Sequence, residues 1–321
     1  MRKALMWCLA LLLFGFACYY FLRDVSWQEF GRITSAQLFV LTVSTFVMIV
    51  LHALGAAALL RGLGHTANVW PVLGAMLAAS TVGLAGDPKL GVPARLAFYR
   101  LLAKIPISVG TAATVMESIL WLLLMGLIVA IPGPLAGQNT YILSALALSG
   151  VLFAVLVMYF GLDLFERIPF AGRLLRKLGP IRNFIVDTRS SFVGVQFSWL
   201  FFAVVWLALT YVVDVWSIWY VLHSLGSDID PVAIGHSIVV SYLAGAASMI
   251  PLGLGVRDTA LILLFEQAGA TPDIAAVTVV LHRLIRTVLP LVLGFLVVAV
   301  LIGRSEGSLS KLFRKDQSET E

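Results

Sequence analysis

The clearest chemistry in this sequence lies in a short run that interrupts an apolar stretch. Pro251, Gly253 and Gly255 break the stretch, and Arg257 and Asp258 follow before the apolar residues resume. Proline and glycine let the backbone leave the helical conformation. A helix that restarts there would present free N–H groups and the positive end of its dipole, both of which favour an anion. Together with the charge of Arg257, this run predicts a site for an anionic group such as a lipid phosphate.

Ionisable side chains in apolar surroundings extend the candidate site. A second break, in "GLAGDPKLGVPARL", is flanked by basic residues, and two later apolar stretches also contain charged residues. The candidates that these stretches add are Lys89, Arg95, Glu117, His282, Arg283 and Arg286. Because a charge inside a bilayer is costly unless it is paired or hydrated, we expect all of them to face one polar cavity.

Structural interpretations of the same residues stay open. Glu117 and Arg283 would satisfy each other in an ion pair between the two halves of the chain, and Asp258 suits the first turn of a helix as a cap. If they exchange protons instead, Glu117 and Asp258 would couple transport to a pH gradient. Asp214 is interpreted as a structural partner. The isolated histidines are interpreted as packing residues, namely His52, His65 and His236.

The elements that must position these residues are transmembrane helices. Hydrophobic residues make up 60% of the 321 residues and charged residues 12%, whereas a soluble domain is about half apolar and a quarter charged. A spanning helix needs about 20 apolar residues. The sequence lacks the alternation of apolar and polar residues with a period of two that is typical of β-barrel strands. The predicted full spans are 4–22, 36–60, 108–131, 140–162, 198–222 and 275–302.

Two further apolar segments, 69–105 and 232–269, are each broken near the centre by glycine and proline. Each holds enough residues for two half-helices, so we predict re-entrant hairpins that enter from opposite sides. An ungapped alignment of the two halves places Leu90-Gly91-Val92 on Leu254-Gly255-Val256. The predicted fold is therefore an all-α integral membrane protein with six full transmembrane helices and two re-entrant broken-helix hairpins, arranged as an inverted repeat. Such broken helices in two halves indicate a transport site near the midplane.

Basic residues set the predicted orientation and the division of the chain. They collect at the N-terminus, in the linker 163–197 and in the tail, whereas the connections 132–139 and 223–231 contain none. Because cytoplasmic loops are rich in Lys and Arg, we expect both termini and the linker on the inner side of a prokaryotic cytoplasmic membrane. Residues 1–303 then form one polytopic domain, with a basic amphipathic linker on the inner leaflet. Residues 304–321 are expected to form a polar, disordered tail.

Signals for catalysis are absent from the sequence. No spacing of Cys, His and carboxylate residues indicates zinc, and no nucleophile with its base or phosphate-binding loop is recognisable. The net charge of +5 is explained by the basic cytoplasmic segments alone. We therefore predict no enzymatic activity, no metal or other cofactor, and no nucleic-acid partner.

One long stretch, "PLGLGVRDTALILLFEQAGATPDIAAVTVVLHRLIRTVLPLVLG", resembles the flippase-like membrane domain of lysylphosphatidylglycerol synthases and its stand-alone relatives. The resemblance rests on the glycine-rich break, on the Gly-Val-Arg-acid sequence and on the later Arg283-Leu284 pair. The family more often has Glu at the place of Asp258.

The first half departs further from the family pattern. Gly91 and Arg95 match it, but Val92 stands where the family commonly has an acid. The next helix usually carries Glu-Arg, and here it has Glu117-Ser118.

The resemblance implies translocation of a lipid between leaflets without headgroup synthesis, since a short polar tail stands where the synthases append an aminoacyl-transferring domain. The expected function is a flippase-type transporter for an anionic phospholipid or a polyprenyl-phosphate-linked lipid, either passive or coupled to an ion or proton gradient. The alternative is a non-transporting accessory that anchors or regulates a glycosyltransferase or another lipid-modifying enzyme. An intramembrane enzyme acting on lipid headgroups is a third hypothesis.

Overall fold

The computed structural model describes residues 31, 33–85, 90–130, 179–248, 253 and 255–304. Four predicted features lie outside these residues: the spans 4–22 and 140–162, the first part of the linker, and the tail beyond residue 304. Lys89 and Pro251 also lie outside them.

The described residues form nine α-helices, and their helical, apolar character confirms the predicted all-α membrane protein. Four of the helices, α1, α4, α6 and α9, are long and apolar enough to cross a bilayer. They match the predicted spans 36–60, 108–131, 198–222 and 275–302. The helices are α1 Ser35–Gly62, α2 Val69–Ala85, α3 Gly91–Ala103, α4 Ile107–Ala130, α5 Gly179–Val193, α6 Phe197–Ser224, α7 Pro231–Ala247, α8 Val256–Gln267 and α9 Pro272–Arg304.

Each predicted broken segment contains two helices that pack against each other, α2 with α3 and α7 with α8. The second break is built on glycine, because Gly253 has a φ of 62° and Gly255 a φ of 80°, a region that other residues rarely adopt. Gly255 is also the N-cap of α8. The hairpins close on small residues. A Cβ atom placed on Gly83 would lie 3.3 Å from Gly91 Cα, and one on Gly253 would lie 3.0 Å from Gly245 Cα.

The helices of the two halves correspond in order and register, and the first two helices of each half also have equal lengths. α1 and α6 both contain 28 residues, and α2 and α7 both contain 17 residues. The first residues of α1 and α2 fall on those of α6 and α7 in one ungapped register. The first residues of α3 and α4 fall on those of α8 and α9 in a second register, because the second break is three residues longer than the first. The ungapped alignment that the sequence indicated is therefore wrong.

The turns between helices repeat as well. Gly64 and Gly226 correspond in the first register and have φ angles of 82° and 90°. Lys104 and Gly269 correspond in the second register and both have positive φ, and Lys104 is the only residue other than glycine in the described part of the chain to do so. The described residues thus contain two copies of one four-helix unit. The opposite orientation of the copies in the membrane stays a prediction.

The two copies meet where α1 packs along α6. Small residues allow the backbones to approach, since Gly55 faces Trp206 and Leu207, and a Cβ atom on Gly62 would lie 3.1 Å from Trp199 Cβ. Buried alanines of α1 continue this contact surface. Close packing at small residues is a main source of helix association in a bilayer, where hydrocarbon chains solvate apolar side chains equally well.

Candidate functional site

The first half holds a buried polar cluster around Glu117 of α4. Both guanidinium ends of Arg95 on α3 donate to its carboxylate, with Nη1 3.2 Å from Oε1. The Nε2 atom of His52 on α1 lies 2.5 Å from the same Oε1 atom. Arg95 also donates from Nε to the Tyr99 hydroxyl at 2.8 Å. The predicted ion pair between Glu117 and Arg283 is wrong, because Arg95 and His52 surround this carboxylate.

The second half holds a corresponding cluster around Asp214 of α6. His282 of α9 contacts Oδ1 through Nε2 at 2.8 Å, and Arg286 of α9 donates from Nη1 to Oδ2 at 2.8 Å. Arg286 also points Nη2 at the Met48 sulfur of α1, at 3.2 Å, and so links the two halves. The Asp214 side chain is 5% exposed, and the half-buried Arg286 compensates its charge.

The residues of the opening run extend this second cluster. Asp258 in the first turn of α8 pairs with Arg283, with Nη1 3.3 Å from Oδ1, so it does more than cap its helix. The Arg257 guanidinium lies over the Tyr242 ring, with Cζ 3.6 Å from the ring centre. Its Nε atom is buried and has no hydrogen-bond partner, and among the described residues no carboxylate forms an ion pair with Arg257.

A cavity of about 360 Å³ lies between the two clusters. It is mainly apolar, with polar groups from both halves. Its wall is formed by Thr45, Met48, Ile49, His52, Trp121, Met125, Thr210, Tyr211, Asp214, Ile238, Val239, Tyr242, Arg286 and Pro290. Both spanning helices of each half therefore contribute, and α7 is the one described hairpin helix that does.

Most of this wall consists of residues at corresponding positions of the two copies. Ten of the fourteen wall residues form five such pairs, in the first register on α1 and α6 and in the second register on α4 and α9. The pairs are Met48 with Thr210, Ile49 with Tyr211, His52 with Asp214, Trp121 with Arg286, and Met125 with Pro290. The two halves thus contribute corresponding positions to the cavity wall.

The buried contacts repeat together with the wall. His52 corresponds to Asp214 and Glu117 to His282, and each half joins its two positions by a histidine–carboxylate contact. The next turn of α4 and of α9 also contacts these positions. Trp121 of α4 packs edge-on against His52, and its counterpart Arg286 of α9 donates to Asp214. The histidine and the acid have exchanged places between the copies.

The expectation that all the candidate charges face one cavity needs correction. Arg286 is the candidate that the cavity wall contains. Others stand one contact behind the wall: Glu117 behind His52, His282 behind Asp214, and Arg257 behind Tyr242. Pairing explains the placement of Glu117 and His282, since a group that has a buried partner does not need to face the cavity. Gly253 and Gly255 shape the break, and Arg95, Asp258 and Arg283 complete the two clusters.

Two residues of the site were missed as candidates, His52 and Asp214. The sequence-based interpretation of His52 as a packing residue is wrong, because His52 contacts Glu117 and lines the cavity. His65 and His236, in contrast, contact the backbone carbonyls of Leu63 and Ile128. The signal was present, because an acid or a histidine in the middle of an apolar spanning helix indicates a functional site by default.

The arrangement suits an amphiphile that carries a negative charge. In the first cluster, one arginine faces one carboxylate. In the second, Arg257, Arg283 and Arg286 face Asp214 and Asp258, so the described residues leave one positive charge in excess there. The remaining apolar wall of the cavity suits a hydrocarbon chain.

Comparison with known proteins gives a family for the whole membrane region. The family model described as "Lysylphosphatidylglycerol synthase TM region" matches residues 7–294. A UPF0104 membrane protein of Methanocaldococcus jannaschii is 28% identical over 93 residues, which are 29% of this chain and 28% of that protein. A second UPF0104 membrane protein, of Methanothermobacter thermautotrophicus, is 27% identical over 77 residues, 24% of this chain and 23% of the relative.

The matches to these relatives thus span less than a third of their length, and no solved structure shows significant similarity to the chain. The family model, in contrast, covers every residue of the two polar clusters and all of the two four-helix copies except the last ten residues of α9. This multi-pass membrane protein therefore belongs to the lysylphosphatidylglycerol synthase transmembrane-region family.

Proposed function

We propose that this protein translocates a lipid with an anionic headgroup between the leaflets of the cytoplasmic membrane, through the cavity between its two halves. The observation that supports the proposal is that, among the described residues beside that cavity, the arginines outnumber the carboxylates by one. A buried cation without a carboxylate partner is costly in a membrane protein and marks a pathway for a charged substrate. Among the described residues Arg257 is a half-buried cation that forms no ion pair with a carboxylate and whose Nε atom is buried without a hydrogen-bond partner. The ring of Tyr242 separates it from the cavity.

The chemistry of the site favours a phosphate group. Arginine presents a planar fork of donors that matches pairs of phosphate oxygens. Arg257 also lies in the first turn of α8, where free N–H groups and the helix dipole favour an anion. A phospholipid or a polyprenyl-phosphate-linked lipid both offer this group together with hydrocarbon chains.

The two hairpins meet the spanning helices differently, which suggests how access could alternate. α7 lines the cavity with Ile238, Val239 and Tyr242. On α2, Leu77 corresponds to Val239, and it belongs instead to a buried cluster against which Leu293 and Val297 of α9 pack. If the halves exchange these two arrangements, the cavity opens to each side in turn, as in transporters built from inverted repeats.

The alternative function is a non-transporting accessory of a glycosyltransferase or another lipid-modifying enzyme. Such a protein needs a surface for its partner, whereas a cavity between its halves with excess positive charge beside it has no purpose in that role. Lipid translocation by this protein would be either passive or driven by an ion gradient, because the sequence contains no nucleotide-binding motif.

Lipid flux in vesicles tests the proposal. We expect purified protein in vesicles to move fluorescent phosphatidylglycerol between leaflets faster than protein-free vesicles, and Arg257→Gln to slow this flux about tenfold, the loss of roughly one charged hydrogen bond. The matched control is Arg61→Gln, because Arg61 also lies over an aromatic ring, that of Trp199 at 5.3 Å, but that ring, unlike Tyr242, does not line the cavity. Flux equal to that of protein-free vesicles would support the accessory function.

A further inference from the structure

The two histidine–carboxylate contacts differ in their access to the cavity. The His52 side chain is 33% exposed and belongs to the cavity wall, whereas the His282 side chain is 4% exposed and stands behind Asp214. Of these two corresponding contacts, the first alone therefore puts an imidazole where water in the cavity can reach it. Imidazole is the side chain whose charge ordinarily changes between pH 5 and 8.

The partners of His52 fix which ring nitrogen is available. Both oxygens of Glu117 accept from Arg95, so this carboxylate is ionised and acts as an acceptor only. His52 Nε2 faces Oε1 of Glu117 and must carry the hydrogen of that contact. Nδ1 is then the nitrogen that binds an added proton, and Glu117 stabilises the imidazolium that results.

The surroundings of His52, in the part of the chain that the structure describes, contain an indole ring and six charged or titratable groups. Trp121 packs edge-on against its ring, with 6.2 Å between ring centroids, and does not titrate. The Asp214 carboxylate, also on the cavity wall, already contacts His282 and Arg286. The titratable and charged groups that face or adjoin His52 are Glu117 of α4, Arg95 of α3, Tyr211 and Asp214 of α6, Tyr242 of α7 and Arg286 of α9.

We propose that His52 is a proton-binding site of the cavity and that its protonation favours entry of the anionic headgroup. A proton from cavity water adds to Nδ1, and the imidazolium adds a positive charge to a wall that already contains Arg286. The headgroup and the proton then occupy one cavity, so lipid movement is coupled to proton binding. This inference rests on the proposed function for its consequence, but the proton site itself rests on geometry alone.

The flux experiment has a pH arm. We expect flux of the wild-type protein to rise about fivefold when the pH falls from 8 to 6, a coupling at the low end of those between linked sites. The ratio of the fluxes at pH 6 and pH 8 should be near one for His52→Gln. The control is His65→Gln, which removes a histidine whose ring contacts the Leu63 carbonyl, and it should keep the wild-type ratio. An unchanged ratio in His52→Gln would overturn the proposal.

A fluorescence titration tests the proton site without transport. Because an imidazolium quenches a neighbouring indole, the emission of Trp121, taken as wild type minus Trp121→Phe, should fall between pH 8 and pH 6 and stay constant in His52→Gln. If this titration occurs and no lipid moves, the proposed function fails and the proton site stands. If lipid moves and Trp121 emission does not titrate with His52, the proton site fails and the proposed function stands.

Discussion

The two polar clusters occupy corresponding positions in the two copies but differ in how their positive and negative charges balance. Around Glu117, one arginine and one histidine neutralise and enclose a single carboxylate. Around Asp214, the same geometry is extended by the residues of α8, and the described positive charges exceed the negative ones by one. The duplicated scaffold thus fixes where polar groups stand, whereas the residue types at those places decide which half keeps charge for a ligand.

The histidine and acid positions show how little of the chemistry the repeat itself dictates. His52 and Asp214 correspond, and so do Glu117 and His282. A contact of this kind survives exchange of its two members, because either order gives one donor and one acceptor. The exchange places a histidine on the cavity wall in one half and an acid, clamped by Arg286, on the wall in the other.

The largest expected effect is the difference in stability that results when the central carboxylate of each cluster is removed. Asp214→Asn should lower the free energy of unfolding by about 3–5 kcal/mol, because removing one member of a buried pair leaves the other charge uncompensated. Glu117→Gln should lower the free energy of unfolding by less, because it leaves a single unpaired arginine in the first cluster. Asp214→Asn, in contrast, adds a second unpaired positive charge to a cluster that already has one in excess. Thermal unfolding in detergent measures both.

The control for this comparison is Asp228→Asn, because the Asp228 side chain is 95% exposed. We expect no measurable change in its unfolding temperature. A greater loss for Glu117→Gln than for Asp214→Asn would reverse the comparison between the two clusters.

A smaller effect is expected from glycine-to-alanine substitutions, which should destabilise the two hairpins to different extents. Gly253→Ala should destabilise the protein by about 1–3 kcal/mol, the usual cost of a strained backbone conformation, since Gly253 combines a φ of 62° with a close contact to Gly245. Gly83→Ala should cost less, because Gly83 lies within α2 and meets Gly91 at a longer distance. Equal losses in thermal unfolding would show that contact, and not backbone conformation, limits the second hairpin.

The sequence predicted the four described spans and both broken segments within a few residues. The reason is physical, because a spanning helix needs a long apolar run and a break at membrane depth needs glycine or proline. The start of α8 at Val256 follows from the same argument. Arg95, Glu117, Asp258 and Arg283 stand out as candidates in the sequence because charged residues are rare in such surroundings.

The pairing of these residues could not be predicted in the same way. Contacts between helices far apart in the chain depend on register, and an alignment that places Gly91 on Gly255 misaligns α1 and α6 by two residues. In the observed register of these helices, His52 falls on Asp214. The second break is three residues longer than the first, so no single ungapped alignment could match both pairs of spanning helices.

The central claim, that lipid passes through the cavity between the halves, is tested most directly by filling that cavity. Met125 lines it, whereas Leu127 on the same helix is 51% exposed on the outer surface. In vesicles of phosphatidylcholine and fluorescent phosphatidylglycerol, Met125→Trp should reduce flux to the rate of protein-free vesicles, and Leu127→Trp should leave the wild-type rate, with similar unfolding temperatures for both variants. Wild-type flux in a folded Met125→Trp protein would contradict the account.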